Sequence, residues 1–247
     1  MSTAARILEI FELFAERGRP MTLSQIAEGM NAPVSSIFGL VRTMTQLGYL
    51  YHAGDRKELY PTRRMLQNAT VIAGCEPIIS RFTELLEDLR DDTRETVILG
   101  QMNAARDGAI YLLVVEGRQT IRYSASVGEV KPLHSSSIGK CLLSQLKEPQ
   151  LSSVLKKLKF PKVTDKTLLS LDKLTANIES GRKRGYQMTK SENVEDVGAI
   201  AMPVGVYEQT FAIAVAGPID RILSAEKQIV EKLARCIANV SEKSLTE

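Results

Sequence analysis

Within the first fifty positions apolar residues recur at helical spacing in three short blocks, each closed by a residue that turns the chain. Residues 4–17 align Ile7, Ile10, Phe11 and Phe14 against Glu9, Glu12 and Glu16, and Gly18 serves as the C-cap. Thr22, three residues before Gln25, predicts a capping box that opens a short helix with Leu23, Ile26, Ala27 and Met30 inside. Asn31 can turn the chain through the left-handed region. Pro33 suits the first position of a third helix that runs to Gln46, with Ile37, Leu40, Val41 and Met44 inward and Gly48 at its end. LYHAGDRKELYP then gives two short β-type runs around Gly54-Asp55-Arg56-Lys57, a hairpin. Three short helices, the second and third joined by a tight turn, and then a basic-tipped hairpin, have the order of a winged helix-turn-helix.

In that arrangement the N-terminal half of the third helix faces base edges in the major groove while its flanks hold phosphate. Here that half offers Val34, Ser35, Ser36, Phe38 and Gly39. Ser35 and Ser36 can hydrogen-bond bases or phosphates, and Arg42 is long enough to reach the backbone. Arg19, Arg56, Lys57, Arg63 and Arg64 add positive charge, although any one of these residues also reads as a helix-start serine or a solvated charge. Residues 1–75 hold 8 Lys+Arg against 6 Asp+Glu, a net of +2. So small a surplus has to be concentrated on one face, and affinity has to come largely from dimerisation. A symmetric pair would read half-sites about 34 Å apart or a multiple of that.

Composition narrows the alternatives. At about 150 residues per domain, 247 residues make one to two domains. With 44% hydrophobic residues and 32 Lys+Arg against 29 Asp+Glu, the chain is neither disordered nor a polycation. The longest apolar run, Ala109 to Val115, is far short of the ~18 residues of a membrane span. Arg6, Glu9 and Glu12 interrupt the stretch a signal peptide would need, so the sequence reads as mature and cytoplasmic, with no membrane partner. Cys75, Cys141 and Cys236 form no C-x-x-C pair, and His52 and His134 are too few for a zinc site, so neither metal nor cofactor is expected. Trp is absent and aromatics are 5%, which argues against a stacking platform for single strands and leaves duplex DNA.

Residues 62–74 look helical, and Pro77 can open a further helix carrying Ile78, Phe82, Leu85, Leu86 and Leu89. Such a bridge suits dimer contacts, or is an ordinary amphipathic surface helix. From Thr96 the pattern changes to short strands: TVILGQM, AIYLLVVE and TIRYSAS. Helical segments follow at about 137–147, 149–158 and 171–184, the last stopped by Gly185. DVGAIAMPVGV and QTFAIAVAG form two more strands joined near Tyr207-Glu208. Ser224 is then the expected N-cap of a last helix aligning Ile229, Leu233, Ile237 and Val240. Antiparallel hairpins with helices between their halves make an α+β domain. The expected division is 1–61, a winged helix-turn-helix; 62–76, a linker helix; and 77–247, a second, α+β domain.

That domain contains no P-loop, G-x-G-x-x-G, G-x-S-x-G or H-E-x-x-H. Its one reactive constellation is His134-Ser135-Ser136-Ser137-Ile138-Gly139-Lys140-Cys141. A nucleophilic Cys141 or serine with His134 as base is one reading. Cys141 would lie a full turn inside a helix beside Leu142 and Leu143, however, and a carboxylate held at the helix N-terminus uses the same residues more economically.

The run RILEIFELFAERGRPMTLSQIAEGMNAPVSSIFGLVRTMTQLGYL, with PLHSSSIGKCLL, RKRGYQMTKSE and AIAMPV, resembles the IclR-type bacterial transcription regulators from about Ala4 to Val240. The resemblance implies a winged-helix domain, a linker helix and a GAF-like effector domain, an antiparallel sheet with flanking helices that binds small organic acids. It also implies double-stranded operator DNA as a partner and a homodimer or dimer of dimers. Ser35, Ser36, Phe38 and Arg42 fall at matching DNA-contact positions in a recognition helix Pro33 to Gln46, with Arg19, Thr22, Arg56 and Lys57 beside them. Val34 and Gly39 stand where many members carry a basic residue. The implied effector pocket takes Tyr123, Ser137, Ile138, Thr189, Val197, Ala199, Ala214 and Ala216, with Ser135 and Ser136 at the helix start. Members that bind very small oxo-acids often have an acidic residue at the position of Thr189, a cysteine at that of Ala199 and serines at those of Ala214 and Ala216. None is kept, so the implied pocket is roomier and more apolar, suited to an aromatic or longer-chain carboxylate. The expectation is an effector-responsive regulator and not an enzyme; the competing reading is a GAF-like enzyme using Cys141 and His134.

Overall fold

The computed structural model of the chain describes residues 2–54, 57–75 and 79–243. It divides into two compact units, Met1–Glu76 and Pro77–Glu247.

In the first unit, α1 (Thr3–Arg17) starts at an N-cap Ser2 and ends at Gly18, whose φ of 62° lets its N–H reach the Phe14 carbonyl. The capping box forms as expected: Thr22 and Gln25 cap each other at the start of α2 (Leu23–Gly29). Asn31 turns the chain with φ 46°. The third helix, α3, spans Val34–Gln46, with Pro33 just outside it instead of at its first position. The extended ψ of 139° makes Pro33 the N-cap, its carbonyl accepting from the N–H groups of Ser36 and Ile37 at 3.0 and 3.3 Å. Gly48, at φ 73°, ends the turn that follows. β1 (Leu50–Ala53) and β2 (Glu58–Pro61) pair antiparallel, with Tyr51 opposite Tyr60. Met21 and Leu59 exchange backbone hydrogen bonds of 3.1 and 2.8 Å, which ties this wing to the loop before α2. Ile10, Phe14, Ile26, Ile37, Met44 and Leu50 form the core, all 3% exposed or less.

α4 (Arg64–Gly74) has no buried residue and exposes Leu66, Val71 and Ile72. Its first turns are fastened to the base of the wing. The Arg64 guanidinium donates to the Leu47 carbonyl and lies 4.9 Å from the centre of the Tyr49 ring, and Asn68 donates to the Tyr49 hydroxyl at 3.2 Å.

The second unit is built on a six-stranded antiparallel sheet in the order β5-β4-β3-β8-β7-β6. Its strands are β3 (Thr96–Met102), β4 (Gly108–Val115), β5 (Val130–Pro132), β6 (Gln187–Lys190), β7 (Val197–Val206) and β8 (Gln209–Pro218). Against one face lie α5 (Ile79–Thr93), α9 (Ile219–Ser224) and α10 (Glu226–Lys243); against the other lie α6 (Ser137–Gln145), α7 (Gln150–Lys157) and α8 (Leu171–Arg184). Side-chain alternation divides the core. Val97, Leu99, Ile200, Phe211, Ile213 and Val215 pack with Phe82, Leu86 and Leu233, whereas Ile98, Ala199, Ala201, Ala212, Ala214 and Ala216 pack with Ile138, Cys141 and Leu142. Alanines on the second face allow α6 to lie close. At Gly100 the approach is tight enough that a Cβ would stand 2.8 Å from an Ile138 methyl.

Two further expectations are corrected. TIRYSAS, residues 120–126, is not a strand. Its polar groups are met from outside any ladder: the Thr96 hydroxyl donates to the Tyr123 carbonyl, and Arg221 donates to that of Ile121 at 2.7 Å. The edge of the sheet beside β4 is taken instead by Val130–Pro132. Ser224 is the last residue of α9, a helix opened by Pro218, and not the N-cap of the last helix. Its hydroxyl donates back to the Arg221 carbonyl at 3.1 Å. Ile78 lies outside the described residues, and α5 otherwise buries Phe82, Leu85, Leu86 and Leu89 as expected.

Candidate functional site

The first candidate surface is the exposed side of α3 with its flanks. Ser35, Ser36 and Arg42 are exposed, as are Arg19 before α2 and Lys57 at the wing tip, and Phe38 is 54% exposed. Arg56 lies outside the described residues. Thr22 is half-buried and its hydroxyl accepts from the Gln25 N–H at 3.3 Å, so its side chain is already committed to the helix start. Beside α3 and facing the wing runs an apolar groove of about 400 Å³, lined by Leu23, Phe38, Val41, Arg42, Lys57 and Leu59 among others.

The second candidate site lies in the other unit, where the N-terminus of α6 meets the alanine-bearing face of the sheet. Ser136 caps α6, accepting from the Gly139 N–H at 3.1 Å while donating to the Pro132 carbonyl at 2.7 Å. Around this start a cavity gathers Tyr123, Ser136, Ser137, Thr189, Val197, Ala199, Ala214 and Ala216, eight residues of the expected set. Ser135 and Ile138 do not line it. Ser135 donates instead to the Asn193 side chain at 3.3 Å, and Ile138 packs over Gly100. Ile98, Tyr111, Asn193 and Val194 also line it, residues to which neither periodicity nor the resemblance points.

The roomy pocket implied by the alanines is corrected. The free volume is only about 20 Å³, the space of roughly one water. Tyr111, Ile98 and Val194 supply the bulk that the alanines lack. Burial, followed by the neighbouring Tyr123 phenol, pushes the Tyr111 hydroxyl far above its ordinary value. It therefore stays a neutral donor. The walls that carry Tyr123 and Asn193-Val194 are outside any helix or strand, the first of them held by side chains, whereas the rest of the cavity rests on β3, β4, β6, β7, β8 and the start of α6.

Lys140, in the first turn of α6, points away to a buried ion pair. Its ammonium lies 2.6 Å from Glu192 and 2.9 Å from Asn177, which fastens α6 to α8 and to the loop after β6. Burial lowers its pKa and the Glu192 carboxylate opposes that. His134 is fully buried with Nε2 3.1 Å from the Pro161 carbonyl, and burial lowers its pKa, so the ring is neutral. The Cys141 thiol is fully buried and burial raises its pKa well above the thiol range. A thiol held protonated in apolar surroundings is a poor nucleophile. Among the described residues no group of three His, Cys, Asp or Glu is placed to hold a metal, and no helix is long and apolar enough to cross a membrane.

Comparison with known proteins bears on both sites. The IclR helix-turn-helix domain matches residues 3–54, and the C-terminal region of the bacterial transcriptional regulator IclR matches residues 72–242. The acetate operon repressor of Salmonella typhimurium is 28% identical over 254 residues, covering 99% of this chain and 89% of its own. The crystal structure of the Thermotoga maritima IclR superposes with a TM-score of 0.79 at 22% identity over 98% of both chains. An IclR homologue from Microbacterium hydrocarbonoxydans, solved in complex with 4-hydroxybenzoate, superposes with a TM-score of 0.77 at 19% identity over the full length of both.

Proposed function

The chain belongs to the IclR family of bacterial transcriptional regulators, and we propose that its second unit senses a small organic acid that enters the cavity at the start of α6 and alters operator binding by the first. The observation that carries the effector half is the convergence itself. Residues from two irregular loops, a helix start and five strands, far apart in sequence, meet around one cavity. The helix N-terminus favours a carboxylate, the alanine floor and Ile98 favour an apolar body, and the Tyr111 hydroxyl, kept neutral by burial, offers a donor to a second polar group. An aromatic or longer-chain carboxylate fits that set. The Microbacterium homologue, whose structure holds 4-hydroxybenzoate, supports the same class. Ligand pockets usually hold ~300–1,000 Å³, so the cavity has to open. The loops bearing Tyr123 and Asn193-Val194 are the parts of its wall that no ladder restrains.

The test is a panel of acids added to the full-length protein. At a hundredfold excess over Kd a ligand that binds only the folded state stabilises it by about 2.7 kcal/mol. Benzoate and 4-hydroxybenzoate are therefore expected to raise the melting temperature by several degrees while pyruvate and glyoxylate do not. Tyr111→Phe should weaken 4-hydroxybenzoate about fivefold, the value of one hydrogen bond of ~1 kcal/mol. Stabilisation by the small oxo-acids alone would remove this reading.

On the DNA side, we assign Ser35, Ser36, Phe38 and Arg42 of α3 to the major groove and its edges, with Arg19, Arg56 and Lys57 on phosphates. Thr22 acts through the capping box that sets α2. Residues 1–61 form the winged helix-turn-helix, 62–76 the linker and 77–247 the effector domain. Arg42→Ala combined with Arg56→Ala is expected to flatten the salt dependence of duplex affinity by roughly 0.9 in log–log slope per lost phosphate contact. Binding measured across a salt series reads this directly, and an unchanged slope would exclude both arginines. The apolar surface of α4, with Leu66, Val71 and Ile72 in water, supports a homodimer or dimer of dimers, because a short helix without tertiary packing is marginal in water. A monomer in sedimentation equilibrium at micromolar concentration would contradict that.

A further inference from the structure

The base-facing half of α3 lacks the side chains that read purines. Between Val34 and Gly39 there is no Arg, Lys, Asn or Gln, the residues whose paired donors and acceptors distinguish guanine or adenine in the major groove. Apolar surface is there instead. Val34 is 45% and Phe38 54% exposed, and a spacing of four places them on one face of the helix. Gly39 adds nothing to shield them: a Cβ there would meet no atom within 4 Å, so the backbone of α3 can come close to whatever Phe38 touches. The same ring borders a groove that Arg42 and Lys57 also line. An apolar contact framed by cations complements a polyanion that carries methyl groups, and thymine is the base that presents a methyl in the major groove.

We propose that Phe38, with Val34, recognises thymine through its 5-methyl group, so that the operator carries thymine at the steps beneath these two residues. This rests on α3 being the DNA-contacting helix, and it adds a chemical identity to the bases that helix meets. Arg42 and Lys57 then fix the register on phosphate, and the discrimination comes from Phe38 and Val34.

The experiment starts from random DNA. The full-length protein selects duplexes from a random-sequence library, and the best duplex is resynthesised with deoxyuridine replacing thymine one position at a time. The exchange removes the methyl and keeps every hydrogen bond of the base pair. Each contacted methyl is expected to cost about fourfold in affinity, equivalent to ~0.8 kcal/mol at ~1.4 kcal/mol per tenfold. Phe38→Ala protein is expected to bind the thymine duplex more weakly and to lose the distinction between thymine and uracil at that position. Selected duplexes without thymine in either half-site, or affinities that uracil leaves unchanged everywhere, would overturn the proposal and leave the apolar face to a protein partner. Failure of the underlying reading looks different: no duplex is enriched at all, which overturns both.

Discussion

Lys140→Met is expected to lower the unfolding free energy of the protein by about 3–5 kcal/mol, because it leaves the Glu192 carboxylate buried without its cation. Lys140 is fully buried and its ammonium has two partners, Glu192 and Asn177. The loss should come from the orphaned charge and not from the absence of the pair. Lys140→Met together with Glu192→Leu should therefore recover most of it, as apolar replacement of buried ion pairs commonly does. Urea unfolding of the single and double variants decides the matter. A single variant that loses less than ~1 kcal/mol, or a double variant no better than the single, would show that the pair does not fasten α6.

A comparable loss is expected from Gly139→Ala, by steric means. A Cβ at Gly139 would stand 2.5 Å from the Leu133 Cα and 2.7 Å from both the Leu133 carbonyl oxygen and the Ser136 Oγ. Two of those three neighbours are backbone, so the helix start has to move. Overpacking of this kind costs ~1–3 kcal/mol and disturbing the Ser136 cap about 1 more. Gly39→Ala supplies the contrast. Nothing lies within 4 Å of its added Cβ, and an alanine inside an exposed helix should stabilise by ~0.5–1 kcal/mol. Thermal unfolding that ranks the two variants the other way would refute the packing account. Because Gly139 holds α6 against the segment before it, the same variant should also abolish acid-induced stabilisation.

Local chemistry makes much of this fold legible from the order of residues. Gly18, the Thr22–Gln25 box, Asn31 and Gly185 each act where their backbone preferences place them, since caps and left-handed turns are settled within four residues. Elements governed by distant partners are not legible in that way. TIRYSAS has strand-like composition, yet Thr96 and Arg221 satisfy its carbonyls. The true edge strand, Val130–Pro132, is three residues long and ends in proline. Ser224 looks like an N-cap only when α9 is unseen, and α9 depends on Arg221 reaching Glu95 with hydrogen bonds of 2.6 and 2.9 Å. In the cavity, the family resemblance supplies the alanines, Thr189 and Tyr123. Tyr111 stays hidden because AIYLLVV is apolar on both faces, so alternation cannot show which side it serves. Asn193 and Val194 lie in a loop with no period at all.

The two faces of the sheet bear on how such a protein changes over generations. β8 turns Phe211, Ile213 and Val215 to one side and Ala212, Ala214 and Ala216 to the other. The bulk of the packing lies with the first set, and under the proposed function recognition falls to Ala214 and Ala216 of the second. A mutation that adds a hydroxyl or a sulfur to an alanine alters what the cavity can hold while leaving the aliphatic layer behind it untouched. A chain divided in this way can drift from one signalling molecule to another in single steps, each of them compatible with remaining folded.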